Sequence, residues 1–273
     1  MPPAYDEPVA NGGMADPSKP HVARVYDYLL GGTDNFPADR AVGDQIITSL
    51  PAVRDGVRAQ RDLLGRVVRF LVGEAGITQI LDVGSGLPTA DNVHQIAHRI
   101  DPRTRVVYVD NDPDVIAHAK ALLAGEQGAI AVEGDLRRPP DVCTHPDVSA
   151  QLDWDQPIGL LLCGVLHYIL DSEHPGELMA AWRDALPPGS YVFVHHLLDA
   201  DDPAIADVQA ALQAGLGRGQ FRTRAQISSL LDGLDLVEPG LVLVSQWRPD
   251  ADTPGERDLP VLRLACAGVG RKR

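Results

Sequence analysis

The chain has 273 residues, 44% of them hydrophobic, with 38 acidic against 24 basic side chains and a formal charge of -14. This is enough apolar material for one large domain with a real core or two small ones. The acidic balance opposes a nucleic-acid partner over the average surface, leaving only a local basic patch, Arg218 with Arg222 and Arg224, to argue the other way.

Cys143, Cys163 and Cys266 show no CxxC spacing, so neither a disulfide framework nor a zinc knuckle is indicated. No apolar run reaches the roughly 20 residues of a membrane span, and the N-terminal stretch MPPAYDEPVANGGMADPSKP lacks the charged start and apolar middle of a signal peptide. The expectation is a soluble, cytoplasmic protein without a membrane partner.

Residues 1–18 are rich in Pro, Gly, Ala and Asp and poor in large apolar side chains, which predicts a disordered lead-in. Val22, Val25, Tyr26 and Leu29 then fall at helical spacing, and Gly31-Gly32 supplies a stop. A second helix is expected after Asn35, with Pro37 in its first turn. A longer amphipathic one is expected over residues 53–72.

From there short apolar strands alternate with helices. The run is QILDVGSG, TADNVHQIAHRI, RVVYVDND, PDVIAHAKALLA, AIAVEGD, then PIGLLLCGVLHYIL as a buried fourth strand, PGELMAAWRDAL as a helix and SYVFVHHLL as a fifth strand. Helices of this length between strands imply right-handed crossovers and a doubly wound, mostly parallel α/β sheet covered on both faces. LVLVSQW and VLRLACAGVG read as a terminal hairpin pair joined by a polar loop, completing seven strands.

The chemistry concentrates at three strand ends. In LDVGSGLPTAD, Gly84 and Gly86 let the backbone turn tightly against a ligand just after Asp82. The next strand ends in VVYVDND, placing Asp110 where a carboxylate accepts hydrogen bonds from both hydroxyls of a ribose. A third ends in VEGD, so Asp135 lies near the expected position of an adenine ring. With nothing cationic in these motifs, the acids repel a diphosphate and suit a ligand that is itself positive.

These residues resemble the class I S-adenosylmethionine-dependent methyltransferases, over roughly residues 55–270. RVYDYLLGGTDNFPADR together with LDVGSGLPTADNVH is similar, more closely, to an actinobacterial methyltransferase family first catalogued as a domain of unknown function. The resemblance implies a Rossmann-like domain over residues 55–273, an N-terminal helical lid over residues 19–54, and S-adenosyl-L-methionine as cofactor. It places the cofactor against Asp82, Gly84, Ser85, Gly86, Asp110, Asn111, Asp135, Leu136 and Cys163. From the lid, Tyr28, Asp34 and Asn35 are the candidate contacts, since aromatic faces stabilise a sulfonium. One departure from the general pattern is Leu87-Pro88-Thr89 in place of a further glycine, where Pro88 stiffens the loop and Thr89 is a candidate helix cap.

Blander readings compete at several positions. The GxG turn is by itself only a tight turn; Asp112 reads as the cap of the helix starting at Pro113. His167 and Tyr168, after the fourth strand, are the catalytic candidates, with packing between strand and helix as the alternative. His195 and His196 point to opposite faces of their strand, so no metal site is expected. Ser85 lacks the GxSxG frame of a hydrolase nucleophile, and Trp154, Trp182 and Trp247 read as packing. The functional expectation is methyl transfer to a small-molecule acceptor. The alternatives are an S-adenosylmethionine-binding regulatory protein without turnover, and a nicotinamide oxidoreductase, which leaves Asp135 unexplained and puts Thr89 at the third glycine of GxGxxG.

Overall fold

The computed structural model describes residues 16–88, 91–199, 203–250 and 260–273. Most of the expected lead-in, and Thr89 with its expected capping role, therefore lie outside the described residues; residues 16–19 form a turn in which Ser18 bonds to Asp16.

Five strands, β1 (Gln79–Val83), β2 (Arg105–Asp110), β3 (Ala129–Glu133), β4 (Gly159–Cys163) and β5 (Tyr191–Leu197), pair in parallel. β1 is buried at every residue, as an apolar strand covered on both faces must be. Short β6 (Asp235–Leu236) and β7 (Val242–Leu243) precede β8 (Ala265–Arg271), which runs antiparallel to β5. The order is β3-β2-β1-β4-β5-β8-β6, with β7 also on β8. The seventh position is thus split: β6 pairs with the end of β8 and β7 with its start. Pro239, between the two, has no N–H to give a ladder. The expected terminal pair forms, but its first strand is only two residues long.

Helices α1 (Val22–Leu30), α2 (Pro37–Ser49) and α3 (Val53–Arg69) precede the sheet; α3 continues as a π-helical turn at Phe70–Glu74. Along the sheet follow α4 (Val93–His98), α5 (Pro113–Leu122), α6 (Pro139–Cys143), α7 (Pro146–Gln151), α8 (Pro175–Ala185), α9 (Pro203–Leu216) and α10 (Arg224–Ser229). The helix expected from residue 89 starts only at Val93, where the Asn92 N–H donates to Gln95 Oε1. The predicted fourth strand stops at Cys163, and Leu166–Tyr168 is a 3-10 turn. Asp112 caps α5 as expected.

Two apolar clusters fill the faces of the sheet, one around Leu63, Val67 and Leu71 of α3, the other around Leu160, Leu162 and Trp182. A third sits apart, where Val25 and Leu29 meet Val42, Ile46 and Val57, and Ile205, Val208 and Leu212 of α9. α6, α7, α9 and α10 were not anticipated from the sequence, and α9 is the consequential one, because it packs on α2 over this third cluster. Among the described residues, no helix is long and apolar enough to cross a membrane.

Candidate active site

After β1 the chain turns at Gly84, whose φ of 73° places it in the left-handed region that favours glycine. A side chain there would collide with Val165. The turn is pinned from β2, where Val109 O accepts the N–H groups of Gly84 at 2.7 Å and Ser85 at 3.1 Å. Asp110 completes the hold: Oδ2 accepts Gly86 N–H at 2.9 Å and Oδ1 accepts Asp112 N–H at 3.0 Å. Each carboxylate oxygen keeps a further lone pair for a ligand. Burial raises the Asp110 pKa against these hydrogen bonds.

Asp82, also buried, is pushed up to about 7 by desolvation, with Arg61 opposing and Asp110 adding to the shift. Asp135 differs. Burial would raise it, but Arg137 clasps it through Nε and Nη2 at 2.6–3.0 Å, and its pKa lies below the usual carboxylate value. This corrects the expectation of an acidic rim with nothing cationic beside it. Arg137 reaches on to Glu173, which is also held by Arg218 at 2.9 Å. Leu136, the next residue, has its carbonyl fixed by Trp182 Nε1 at 2.9 Å, so this tryptophan positions the loop as well as packing.

Beyond β4, Cys163 meets Gln60 Nε2 at 3.6 Å, and burial pushes its thiol up to about 12. The 3-10 turn carries His167, whose ring lies 4.2 Å from that of Tyr168 and 6.3 Å, edge-on, from Phe221. Register sets Cys163 opposite His195. Desolvation holds His167 well below the ordinary imidazole value and His195 at about 3, each lowered further by neighbouring imidazoles. Neither Nδ1 has a partner. His196 faces the other way, as strand alternation requires, with Nδ1 2.7 Å from Leu197 O and Nε2 2.9 Å from Arg222.

One cavity of about 330 Å³ brings most of these groups together. Its lining includes the predicted Asp82, Gly84, Ser85, Gly86, Asp110, Asn111, Asp135, Leu136 and Cys163, and the catalytic candidates His167 and Tyr168. It also includes residues that sequence reasoning missed: His21 and Tyr26 of the N-terminal segment, Gln60 and Arg61 of α3, and Ile205, Val208 and Leu212 of α9. Among the described residues, no group of three or more His, Cys, Asp or Glu is placed to hold a metal ion.

Tyr28, Asp34 and Asn35, the predicted lid contacts, do not line this cavity. Tyr28 Oη donates to Asp44 at 2.7 Å, Asn35 Nδ2 to Asp27 at 2.8 Å, and Asp34 is exposed. The glycine pair serves the same structural knot: Gly31 ends α1 at φ 88°, and a side chain on Gly32 would run into the Asp27 carboxylate. Fully buried Asp39 ties the other end, accepting from His21 N–H, Arg24 Nε and Phe36 N–H. What the segment turns toward the cavity is the α1 stripe that carries Tyr26 and Leu29, together with His21. His21 Nδ1 lies 2.9 Å from Asp112 Oδ2 and 3.4 Å from Ala23 N–H; it cannot donate to one and accept from the other, and the shorter contact prevails.

The supposed basic patch does not assemble either. Arg222 is buried among the carbonyls of Leu166 and Ile169 and the Asp171 carboxylate, Arg218 is paired with Glu173, and Arg224 donates to Leu241 O.

The family model described as S-adenosyl methyltransferase matches residues 10–273. A proposed methyltransferase from Thermobifida fusca YX is 44% identical, superposing with a TM-score of 0.90 over 94% of this chain and 96% of its own. A DUF574 family protein from Streptomyces avermitilis MA-4680 is 36% identical, with a TM-score of 0.87 over 93% and 98%. Human N-acetylserotonin methyltransferase, whose structure is a complex with S-adenosylmethionine, shares the fold at 17% identity and a TM-score of 0.50, over 93% of this chain and 63% of its own. No curated protein matches the chain.

Proposed function

Because the chain belongs to the S-adenosyl methyltransferase family, we propose that it transfers a methyl group in line to a small-molecule acceptor held beneath α1, α3 and α9. The observation that carries this reading is the convergence of Asp82, Asp110 and Asp135, from three adjacent strand ends, on one cavity with the Gly84–Gly86 turn. The residues fit the cofactor. Gly86, with nothing within 4 Å of where a side chain would begin, leaves backbone open to it, Asp110 keeps lone pairs for two ribose hydroxyls, and the buried Ser85 Oγ lacks a partner within the protein.

In this reading Asp135 and Leu136 flank the adenine, and Asp82 with the glycine turn faces the methionine end. S-adenosylmethionine, when bound, supplies an electrophilic methyl group on a cationic sulfur. The protein's part is to hold the acceptor close behind that carbon and to exclude water, which supplies much of the acceleration of a displacement. Residues 19–54 act as a lid through His21, Tyr26 and Leu29 rather than through Tyr28, Asp34 and Asn35. Calorimetric titration of the full chain with S-adenosylmethionine should show one saturable site; a cooperatively folding protein that takes up none ends the proposal.

A further inference from the structure

We propose that Arg137 is a positioning residue that fixes Asp135 as a pure hydrogen-bond acceptor, and so makes the site select an adenine nucleoside over its hypoxanthine counterpart, with Glu173 and Arg218 holding Arg137 from behind. This rests on the reading above, in which Asp135 flanks the adenine.

The clasp begins in the sequence. Asp135 and Arg137 stand two residues apart on the loop after β3, so the backbone and the side chain of one arginine both reach the same carboxylate. Oδ1 accepts the Arg137 N–H at 2.9 Å and Nε at 2.9 Å, while Oδ2 accepts Nη2 at 2.6 Å, with Nε also 3.0 Å away. A carboxylate offers about four acceptor sites, so the clasp leaves roughly one, on Oδ2. The backbone beneath is fixed as well, since Leu136 O accepts from Trp182 Nε1 at 2.9 Å.

The alternation of charge continues away from the cavity. Asp135, Arg137 and Arg218 line it, whereas Glu173 stands behind them. Its Oε1 is 3.5 Å from Arg137 Nη1, its Oε2 is 2.9 Å from Arg218 Nη1, and Oε2 also accepts the Leu170 N–H at 2.7 Å. Two acids and two arginines in a row carry no net charge, so Arg137 is held toward Asp135 rather than offered to an anion. The Arg137 and Asp135 side chains are 29% and 26% exposed, which leaves their attraction only partly screened by water.

A carboxylate in this state reads the edge of a purine. Against burial, which would raise it, Arg137 keeps the Asp135 pKa below the usual carboxylate value, so Asp135 has no proton to donate. The exocyclic amino group of adenine supplies the donor that the remaining Oδ2 lone pair lacks. The carbonyl of hypoxanthine at the same place sets acceptor against acceptor and strips both of water without return. Without the clasp the carboxylate turns about its own side-chain bonds, and the contrast between the two purines fades.

The test is calorimetric titration of the full chain with S-adenosylhomocysteine and with S-inosylhomocysteine, which carries a carbonyl in place of the amino group. The wild type should prefer the adenine compound by at least about tenfold. Arg137→Met keeps an unbranched stem but no clasp, and should bring the preference below about threefold, mainly by weakening the adenine compound. Glu173→Gln leaves Arg137 present but less firmly held, and should lower the preference about threefold. An arginine with a merely structural role would change both affinities together and leave their ratio alone. Equal binding of the two compounds by the wild type, or a preference of about tenfold surviving in Arg137→Met, overturns the proposal; if Arg137→Met fails to fold, an unchanged preference in Glu173→Gln overturns it. A wild type that binds neither compound overturns the methyl-transfer reading instead.

Discussion

At the ends of β1, β2 and β3 the cavity wall is backbone and carboxylate, each group fixed by hydrogen bonds from the adjoining loops. Under α1, α3 and α9 it is hydrocarbon, gathered from segments far apart in the chain. On the proposed reading the first region holds the cofactor and the second surrounds the acceptor. The difference teaches where mutations should act: at the strand ends they change cofactor affinity or local strain, whereas among the helices they change what is accepted.

The strongest challenge to the strand-end region is Gly84→Ala. Left-handed backbone and the collision with Val165 add, so unfolding by urea should show a loss of about 2–4 kcal/mol, and a loss under 1 kcal/mol would mean that the turn is not fixed as described. Asp110→Ala removes two acceptors facing the ligand and should weaken S-adenosylmethionine binding about 30–150-fold by calorimetry.

Asp82 gives a smaller, pH-dependent signature. Its folded pKa of about 7 lies above the usual carboxylate value, so the stability associated with it is full below about pH 4 and is lost as pH rises through about 7. Asp82→Asn should therefore gain stability relative to wild type across that window and no further above it, in melts run from pH 4 to 8. Binding of a cation favours the ionised form, so affinity should rise by up to about tenfold per pH unit below 7 and then level off.

The N-terminal knot sharpens the contrast from its other side. Asn35→Ala should cost about 1 kcal/mol of stability through its lost bonds to Asp27 and Gly32, with cofactor affinity unchanged. Asp34→Ala, at an exposed position, should change neither within about 0.5 kcal/mol.

The strand-end region was legible because its information is local. A period-two apolar run, a glycine where the backbone turns, and an acid at the end of the next strand each occupy a few consecutive residues, and the fold then brings Asp82, Asp110 and Asp135 together. The helical region was not, because a helix shows its pattern without showing which neighbour each face meets. The run from Arg24 to Arg40 advertised Tyr28, near the end of α1, and Asp34 and Asn35 of the turn after it, while the groups that reach the cavity were Tyr26 and Leu29 on the apolar stripe and His21 before it. Ile205, Val208 and Leu212 carry a readable helical spacing, but nothing in their own segment names α2 as the partner. Arg137 beside Asp135 was readable as two residues apart and was overlooked.

The His21 contact with Asp112 has a kinetic consequence. The Asp112 N–H donates to Asp110, so moving the start of α1 breaks a contact two residues from that carboxylate, and a ligand that firmed this loop would firm α1 as well. On the proposed reading, occupancy at the strand ends and mobility of α1 are thereby linked, and initial-rate kinetics should show the nucleoside adding before the acceptor.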